Sequence, residues 1–331
     1  MRDALCAMRV SDVGIMMRVT PALLIVGCLV IFGAVIFISV LLPGVTQSDQ
    51  PSAIFRPRSP AETEGRKLFI QNGCSYCHSQ YIRYVDWGPG AERVAQAGDY
   101  VQDRPHQLGS ARTGPDLSQE GGEHPDDWHH AHFVNPRYTR PESLMPPFQY
   151  LEKERIDILT GYVQSQGFKA ADLRVSRQQT WKKRAVEAYE RGPDANAAWL
   201  HEMVPEPWRK LPNPYPTTKA SLQRGHRIYQ SFCIGCHGPV GDGMGPAHPY
   251  IYPPPLNFTI LKGRGISGGI LYYQIMNGIT GTAMPYFKHE LESEKIWDVG
   301  NYVAVYFIGE TDAGKEPKGI EASYITPEGK K

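Results

Sequence analysis

The chain has 331 residues, a hydrophobic content of 41% and a formal net charge of +1 at pH 7. This length and composition are typical of a folded protein of two or three domains, and they exclude a largely disordered chain. The balanced charge gives no indication that the protein binds nucleic acid.

An uncharged apolar run follows the N-terminal segment, residues 1–20. It extends from Ala22 to Leu42 between two prolines, and at about 1.5 Å per residue a helix of this length spans the roughly 30 Å core of a bilayer. We therefore expect a single transmembrane anchor in contact with lipid over residues 21–43. Three arginines precede the run, whereas only Arg56 follows it closely. This asymmetry predicts a cytoplasmic N-terminus and places the rest of the chain outside.

Two other interpretations of the apolar run are weaker. A cleaved signal peptide is disfavoured because the run is too long and no small-residue cleavage site follows it. A lipoprotein cleavage box ending at Cys28 is disfavoured because further apolar or small residues follow that cysteine. Residues 44–60 are rich in proline and polar side chains and are interpreted as a linker. At its end, Ser59, Pro60 and Glu62 predict the capped start of a helix.

The pattern C-x-x-C-H occurs twice. Cysteines three apart on a helical turn face the same way, so both thiols can form thioethers with one edge of a porphyrin while the histidine points at the iron. A single copy could also be a redox dithiol or half a zinc site, but two copies with similar surroundings favour two covalently bound haem c groups. The residues concerned are Cys74, Cys77 and His78 in the first copy, and Cys233, Cys236 and His237 in the second.

A methionine in the pattern Met-Pro-x-Phe follows each haem motif. Met145 and Met284 are therefore predicted as the second axial ligands, because His/Met ligation is common in electron-transferring cytochromes c and raises the haem potential. Two other methionines compete for the second iron. Met276 lies in an apolar run typical of a core, and Met244 is too near His237 in sequence to cross the porphyrin plane easily.

Glycine and aromatic residues precede each haem motif at matching positions, and helical apolar spacing follows each methionine motif. The predicted fold class is therefore mainly α, with one N-terminal transmembrane helix followed by two class I cytochrome c domains. The first domain is predicted at residues 61–168 and the second at residues 219–310. A helical and proline-rich connector occupies residues 169–218, and residues 311–331 form a polar tail.

The first domain carries a series of motifs that identifies a family. In order these are Cys74–Arg83, Ala97–Tyr100, Gly109–Leu117, Trp128–His132, Asn135–Arg137 and Pro141–Pro146. Together they resemble subunit II of cbb3-type cytochrome c oxidases, a membrane-anchored mono-haem cytochrome c that lies beside a haem-copper catalytic subunit.

The resemblance implies roles at the matching positions. His78 and Met145 would be axial ligands, and Cys74 and Cys77 would be thioether donors. The Pro115 carbonyl would accept the imidazole N–H of His78 and fix its tautomer. A haem propionate would pair with Arg112 or Arg137.

The chain departs from subunit II because a second cytochrome follows the first. Its Gly238 and Gly241–Pro246 motifs and the segment Pro253–Thr259 resemble the widespread class I cytochromes c, which implies the cofactor but not the partner. We expect an electron-transfer subunit, with no catalytic site of its own, that passes electrons from soluble cytochrome c or a quinol-oxidising complex to a haem-copper oxidase subunit. Since bacteria attach c-type haem outside the cytoplasm, the expected location is the bacterial inner membrane, with the haem domains on the periplasmic side.

Two other functions remain open. A nitric-oxide reductase also uses a membrane-anchored cytochrome c subunit, and a dihaem peroxidase would need one iron with an open coordination position. Other patterns are set aside: the G-x-G-x-x-G of residues 263–268 lies between a haem motif and its methionine, and the basic residues 174–191 are interpreted as a solvated helix face. Of the histidines near residue 130, His129 and His132 match the subunit II signature, and the group is not predicted to form a dedicated metal site.

Overall fold

A computed structural model describes residues 20–46, 50–81, 93–107, 109 and 113–309 of the chain. Arg112 and the predicted polar tail, residues 311–331, lie outside the described residues. The chain divides into two compact units, residues 1–50 and residues 51–331.

The N-terminal unit contains one continuous apolar helical segment. The segment Pro21–Thr46 has 26 residues and the length and composition of a membrane span, which confirms the predicted anchor helix. It comprises helix α1 (Pro21–Ile36), a π-helical segment (Phe37–Leu41) and helix α2 (Leu42–Thr46). Thr20 caps its start by accepting the N–H of Leu23, because the first backbone donors of a helix have no partner within it.

The larger unit is helical, and no β-strand forms in its described ranges. The helices of the first haem domain are α3 (Pro60–Gln71), α4 (Asp126–Val134) and α5 (Lys153–Gln164). The connector contains α6 (Phe168–Glu190), α7 (Pro193–Glu202) and α8 (Glu206–Arg209). The second haem domain contains α9 (Lys219–Ile228), α10 (Ile234–His237), α11 (Gly268–Asn277) and α12 (Ser293–Val303). Single turns of 3₁₀ helix lie at Cys74–Tyr76, Ala97–Asp99, Pro136–Tyr138, His248–Tyr250 and Phe258–Leu261, and π-helical turns at Tyr229–Cys233 and Ala304–Ile308.

The predicted capped start of the helix before the first haem motif is confirmed in detail. Ser59 accepts the N–H of Glu62, and the Glu62 carboxylate accepts the N–H of Ser59. This reciprocal capping box, with Pro60 in the first helical position, satisfies two backbone donors at once and fixes where α3 begins.

The helix before each haem motif crosses the helix after each methionine motif, and each crossing requires a glycine. A Cβ on Gly65 would lie 2.5 Å from the carbonyl oxygen of Ile158 and from Cβ of Tyr162, so α3 and α5 touch through their backbones. A Cβ on Gly225 would lie 2.2 Å from the carbonyl oxygen of Asp298, where α9 meets α12. The same crossing in both halves confirms the helices that the repeat predicted on each side of the haem sites.

The first helix of the connector begins before the basic stretch of residues 174–191. Helix α6 starts at Phe168, whose side chain is 1% exposed and packs between Phe55 and Tyr100. Its basic face is also not fully solvated: Arg174 donates to the carbonyls of Gly121 and Gln119. Burial of Phe168, which a basic stretch does not reveal, thus sets the start of this helix.

The G-x-G-x-x-G sequence forms a loop, with positive φ at Gly263 (73°) and Gly265 (70°). This conformation suits glycine. The loop leads into α11, and no strand precedes it in the described ranges. The strand that a dinucleotide-binding motif requires before its glycines is therefore not found there.

Candidate haem sites

The first site forms at the turn that follows α3. Gly73, with φ 71°, ends the helix and starts the turn Cys74–Tyr76. Cys74 is buried and Cys77 is exposed, and both are free thiols. One cysteine of the motif therefore lies in the core and the other at the surface of the turn.

The imidazole of His78 is oriented by the backbone. Its Nδ1 lies 2.9 Å from the carbonyl oxygen of Pro115, so Nδ1–H donates and Nε2 is left to bind a metal. Burial lowers the pKa of His78 below its ordinary value, which favours the neutral form that can act as a ligand. A Cβ on Gly114 would lie 2.5 Å from the His78 ring, so this glycine permits the close approach.

Met145 packs against the core of the first domain, which contains Leu68 and Phe69. Its N–H donates to Oγ of Ser143 at 3.2 Å, which shapes the loop. Arg137, one of the two expected propionate partners, donates to the Met145 carbonyl at 3.4 Å. The other, Arg112, lies outside the described residues.

The second site is a cavity with a mostly apolar lining. The side chains predicted to hold the second haem all line it: Cys233, Cys236, His237 and Met284. The two rival methionines do not line it. Met276 packs against the same hydrophobic cluster as Met284 but is not part of the cavity lining, and Met244 is 62% exposed. The geometry therefore favours Met284 over its rivals.

His237 has the same kind of orientation as His78. Its Nδ1 lies 3.0 Å from the carbonyl oxygen of Leu256, and burial lowers its pKa to about 4. The role of the Leu256 carbonyl was not predicted from the sequence. Leu256 follows the proline run 253–255, much as Pro115 follows Gly114. The ring of Phe258 stacks on the imidazole at a centroid distance of 4.4 Å.

Both donor sets fit covalently bound haem. Each combines two free cysteines, a neutral histidine with an oriented ring and a methionine. Burial raises the pKa of the Cys233 and Cys236 thiols to about 12. The neutral, apolar surroundings of these sulfurs suit a porphyrin edge, whereas a thiolate metal site would require ionised sulfur.

The histidines near residue 130 form a buried polar cluster around a carboxylate that sequence reasoning missed. Nδ1 of His124 lies 2.8 Å from Oε1 of Glu120, and Nε2 of His129 lies 3.8 Å from the same atom. Burial opposes ionisation of Glu120, but the charge and hydrogen bond of His124 outweigh it and lower its pKa to about 2. Burial lowers the pKa of His129 to about 4 and that of His132 to about 3.

The side chain of Trp128, which stacks on two histidines of this cluster, also reaches the second site. Trp128 stacks between His124 and His132, with centroid distances of 3.8 and 4.6 Å, and lines the second cavity. Among the described residues no group of three or more metal-ligating side chains has the arrangement of a metal site. The cluster is linked to the second cavity through Trp128.

The second cavity thus extends beyond residues 219–310. Thr139 of the first domain and Tyr189, Asn196 and Trp199 of the connector also line it. The Met284 loop is braced in the same way, because the N–H of Gly281 donates to Oε1 of Gln178 on α6 at 2.6 Å. The second domain is therefore built against the first domain and the connector.

The two domains touch at the second haem motif. A Cβ on Gly235 would lie 2.2 Å from the carbonyl oxygen of Tyr138, and Sγ of Cys236 lies 3.9 Å from that same oxygen. At the equivalent turn of the first domain, Tyr76 is 78% exposed. The second haem motif is therefore covered by the first domain, whereas the turn of the first haem motif is open to solvent at Tyr76.

Comparison with known proteins agrees with this architecture. The family model described as "Cytochrome C oxidase, mono-heme subunit/FixO" matches residues 15–205, and the model described as "Cytochrome C oxidase, cbb3-type, subunit III" matches residues 220–303. A search of curated proteins finds no match. Among solved structures, a reducing HAO-like protein complex of Kuenenia stuttgartiensis is 19% identical over 78% of this chain and 98% of its own, with a TM-score of 0.27. A TM-score this low contributes nothing to the assignment.

The second match gives a more specific family for the second domain than the sequence motifs, which resemble class I cytochromes c in general. The two matches meet in the proline-rich connector, so two kinds of cbb3 oxidase cytochrome are joined in one polypeptide. Since the first match covers more than half of the chain, the protein belongs to the mono-haem subunit family of cytochrome c oxidases, extended by a cytochrome domain of the cbb3-type subunit III family.

Proposed function

We propose that this chain is the membrane-anchored, dihaem electron-transfer subunit of a cbb3-type oxidase. Electrons would pass from an external donor to the second haem domain, then to the first, and then to the haem-copper catalytic subunit that reduces oxygen. The donor would be soluble cytochrome c or a quinol-oxidising complex. The family assignment itself implies association with a haem-copper oxidase complex.

The observation that carries this proposal is the contact between the second haem motif and the first domain. Cys236 lies against the Tyr138 carbonyl, only a few residues before Met145 in the chain. Electron transfer between redox centres is favoured by closely packed atoms, and this contact would form part of such a path. The open turn at Tyr76 and Cys77 leaves the first domain free to pass electrons onward, which supports the proposed order.

The protein residues would hold each group in one orientation. Cys74 and Cys77, or Cys233 and Cys236, would form the thioethers. His78 with Met145, and His237 with Met284, would provide the axial ligands. When bound, haem c supplies one-electron chemistry at its iron. The carbonyls of Pro115 and Leu256 fix the imidazole tautomers, and the mostly apolar lining of the second site would limit the access of water to it.

The anchor and its flanking charge support a location in the bacterial inner membrane. One candidate span lies near the N-terminus, and arginines concentrate before it. By the positive-inside rule the haem domains would be periplasmic. Each chain would therefore cross the membrane once and collect electrons outside the cytoplasm.

The alternatives have less support. The family match favours an oxidase over a nitric-oxide reductase. A dihaem peroxidase would need an iron with a displaceable ligand, whereas a methionine lies at both sites: Met284 lines the second cavity and Met145 packs in the first core.

The double variant Cys233→Ala/Cys236→Ala tests the proposed order in the purified oxidase complex. We expect it to lose the second covalent haem and nearly all oxidation of a soluble donor cytochrome. The first haem should remain attached, and oxygen consumption with a small-molecule reductant should persist. Cys28→Ala, in the anchor, is the matched control and should change neither rate. Oxidation of the donor at the unaltered rate by the double variant would contradict the proposal.

A further inference from the structure

Arg140 belongs to the first domain but places its charge in the second. It lies between the turn Pro136–Tyr138 and Met145, and its backbone is fixed at both ends: its N–H donates to the carbonyl of Pro136, and its own carbonyl accepts the N–H of Ser143. The Arg140 side chain is 26% exposed. The side chain therefore extends from a rigid turn.

Three groups of the second domain surround the guanidinium. Its two terminal nitrogens donate to the two carboxylate oxygens of Glu290 at 2.7 and 2.5 Å. Its central carbon lies over the rings of Phe232 and Phe287, at 5.8 and 5.5 Å from their centroids. A forked ion pair backed by aromatic rings fixes both the position and the direction of the charge.

The two phenylalanines connect this charge to the second haem site. They pack against each other edge to face at 5.8 Å, and both line the cavity that contains His237 and Met284. Phe232 directly precedes Cys233, and Phe287 closes the Met-Pro-Tyr-Phe motif. Arg140 thus lies just behind the wall of that cavity.

We propose that the Arg140–Glu290 pair, formed between the two domains, sets the reduction potential of the second haem. The inference rests on the proposed dihaem function. Oxidation of the haem adds one positive charge, so a nearby guanidinium favours the reduced form and a nearby carboxylate favours the oxidised form. Since Arg140 comes from the first domain, the potential of the second haem depends on the docking of the two domains. Arg140 is therefore a positioning and tuning residue and not a ligand.

Charge variants separate this role from a purely structural one. Arg140→Gln leaves Glu290 uncompensated and should lower the potential of the second haem, whereas Glu290→Gln leaves Arg140 uncompensated and should raise it. We expect each to change the equilibrium for electron sharing between the haems roughly tenfold, or about 59 mV for a one-electron couple, in opposite directions. The double variant should lie between the two single variants, because the two opposite charges partly cancel. Loss of packing alone would shift both single variants the same way.

Two further variants complete the test. Arg140→Lys keeps the charge but not the fork, and should retain most of the potential, whereas a structural role predicts that it behaves like Arg140→Gln. Arg264→Gln removes an ion pair, Arg264–Asp194, whose arginine side chain is about as exposed as that of Arg140 and which also joins two segments, but neither residue lines the cavity. It should leave the potential unchanged.

Spectropotentiometric titration of the full chain in its complex measures all five variants, after haem content and absorption spectra have been checked. Shifts of the same sign in Arg140→Gln and Glu290→Gln, or no shift, would overturn this inference while leaving the dihaem function intact. A chain with only one covalent haem would instead overturn the proposed function.

Discussion

The helix crossing in each cytochrome domain yields the most quantitative prediction. Gly65→Ala would place a methyl group 2.5 Å from the carbonyl oxygen of Ile158, and Gly225→Ala would place one 2.2 Å from that of Asp298. Attractive contacts between such atoms begin near 3.5 Å, so each helix pair must separate by roughly 1 Å. Overpacking of this kind costs about 1–3 kcal/mol, while the better helix propensity of alanine offsets up to about 1 kcal/mol.

Gly161→Ala is the matched control on α5, because nothing lies within 4 Å of the added Cβ. It should be neutral or stabilising by about 1 kcal/mol. For a folding unit larger than about 150 residues, each kcal/mol shifts Tm by roughly 2–4 °C. Thermal unfolding followed at the haem absorption band should therefore show a drop of several degrees for Gly65→Ala and Gly225→Ala, and none for Gly161→Ala.

Equal melting temperatures for all three variants would refute the reasoning, since the backbones of the paired helices would then have room for a methyl group. A drop confined to Gly161→Ala would also refute it. Agreement for one domain only would limit the conclusion to that helix pair.

The remaining predictions concern ligands, capping and acid. Met145→Ala and Met284→Ala should each lower the potential and alter the absorption spectrum of one haem and leave the other unchanged; spectropotentiometry would contradict this if either variant matched the unaltered protein. Ser59→Ala should cost about 1 kcal/mol of stability, measured by urea unfolding against Ser75→Ala as a control outside the capping box. Burial lowers the pKa of His129 to about 4 from a usual 6.5, so the unfolded chain binds more protons and stability should fall as the pH falls from 6.5 to 4. His129→Gln should reduce this slope, and an unchanged slope would assign the acid sensitivity to other groups.

Local rules predicted much of the fold. The capping box at Ser59 and Glu62, the anchor helix and the helices flanking each haem motif depend on short-range patterns in the sequence, and the structure reproduces them. The family resemblance also predicted the assignment that the comparisons support. The capping box and the helices depend mainly on residues that are close to one another in the sequence.

Tertiary contacts account for what the sequence did not reveal. Helix α6 begins at Phe168 because that side chain is buried against Tyr100, a residue distant in sequence. Glu120 had no signal of its own and gains meaning only beside His124. The extent of the second cavity was missed for the same reason, because Trp128 and Trp199 reach it from outside the second domain.

The pairing of the two domains through Arg140 and Glu290 was likewise invisible in the sequence. The two residues are 150 positions apart, and each alone resembles a solvated surface charge. Their forked contact depends on the way the second domain packs on the turn at Tyr138, which no local pattern encodes.

The mass of the mature chain, isolated from its membrane complex, tests the central claim most directly. The account predicts a mass increased by two covalently bound haem groups, with one group attached to the peptide containing Cys74 and Cys77 and one to the peptide containing Cys233 and Cys236. A chain that carries one haem or none, in a complex that still oxidises its donor at the full rate, would contradict it.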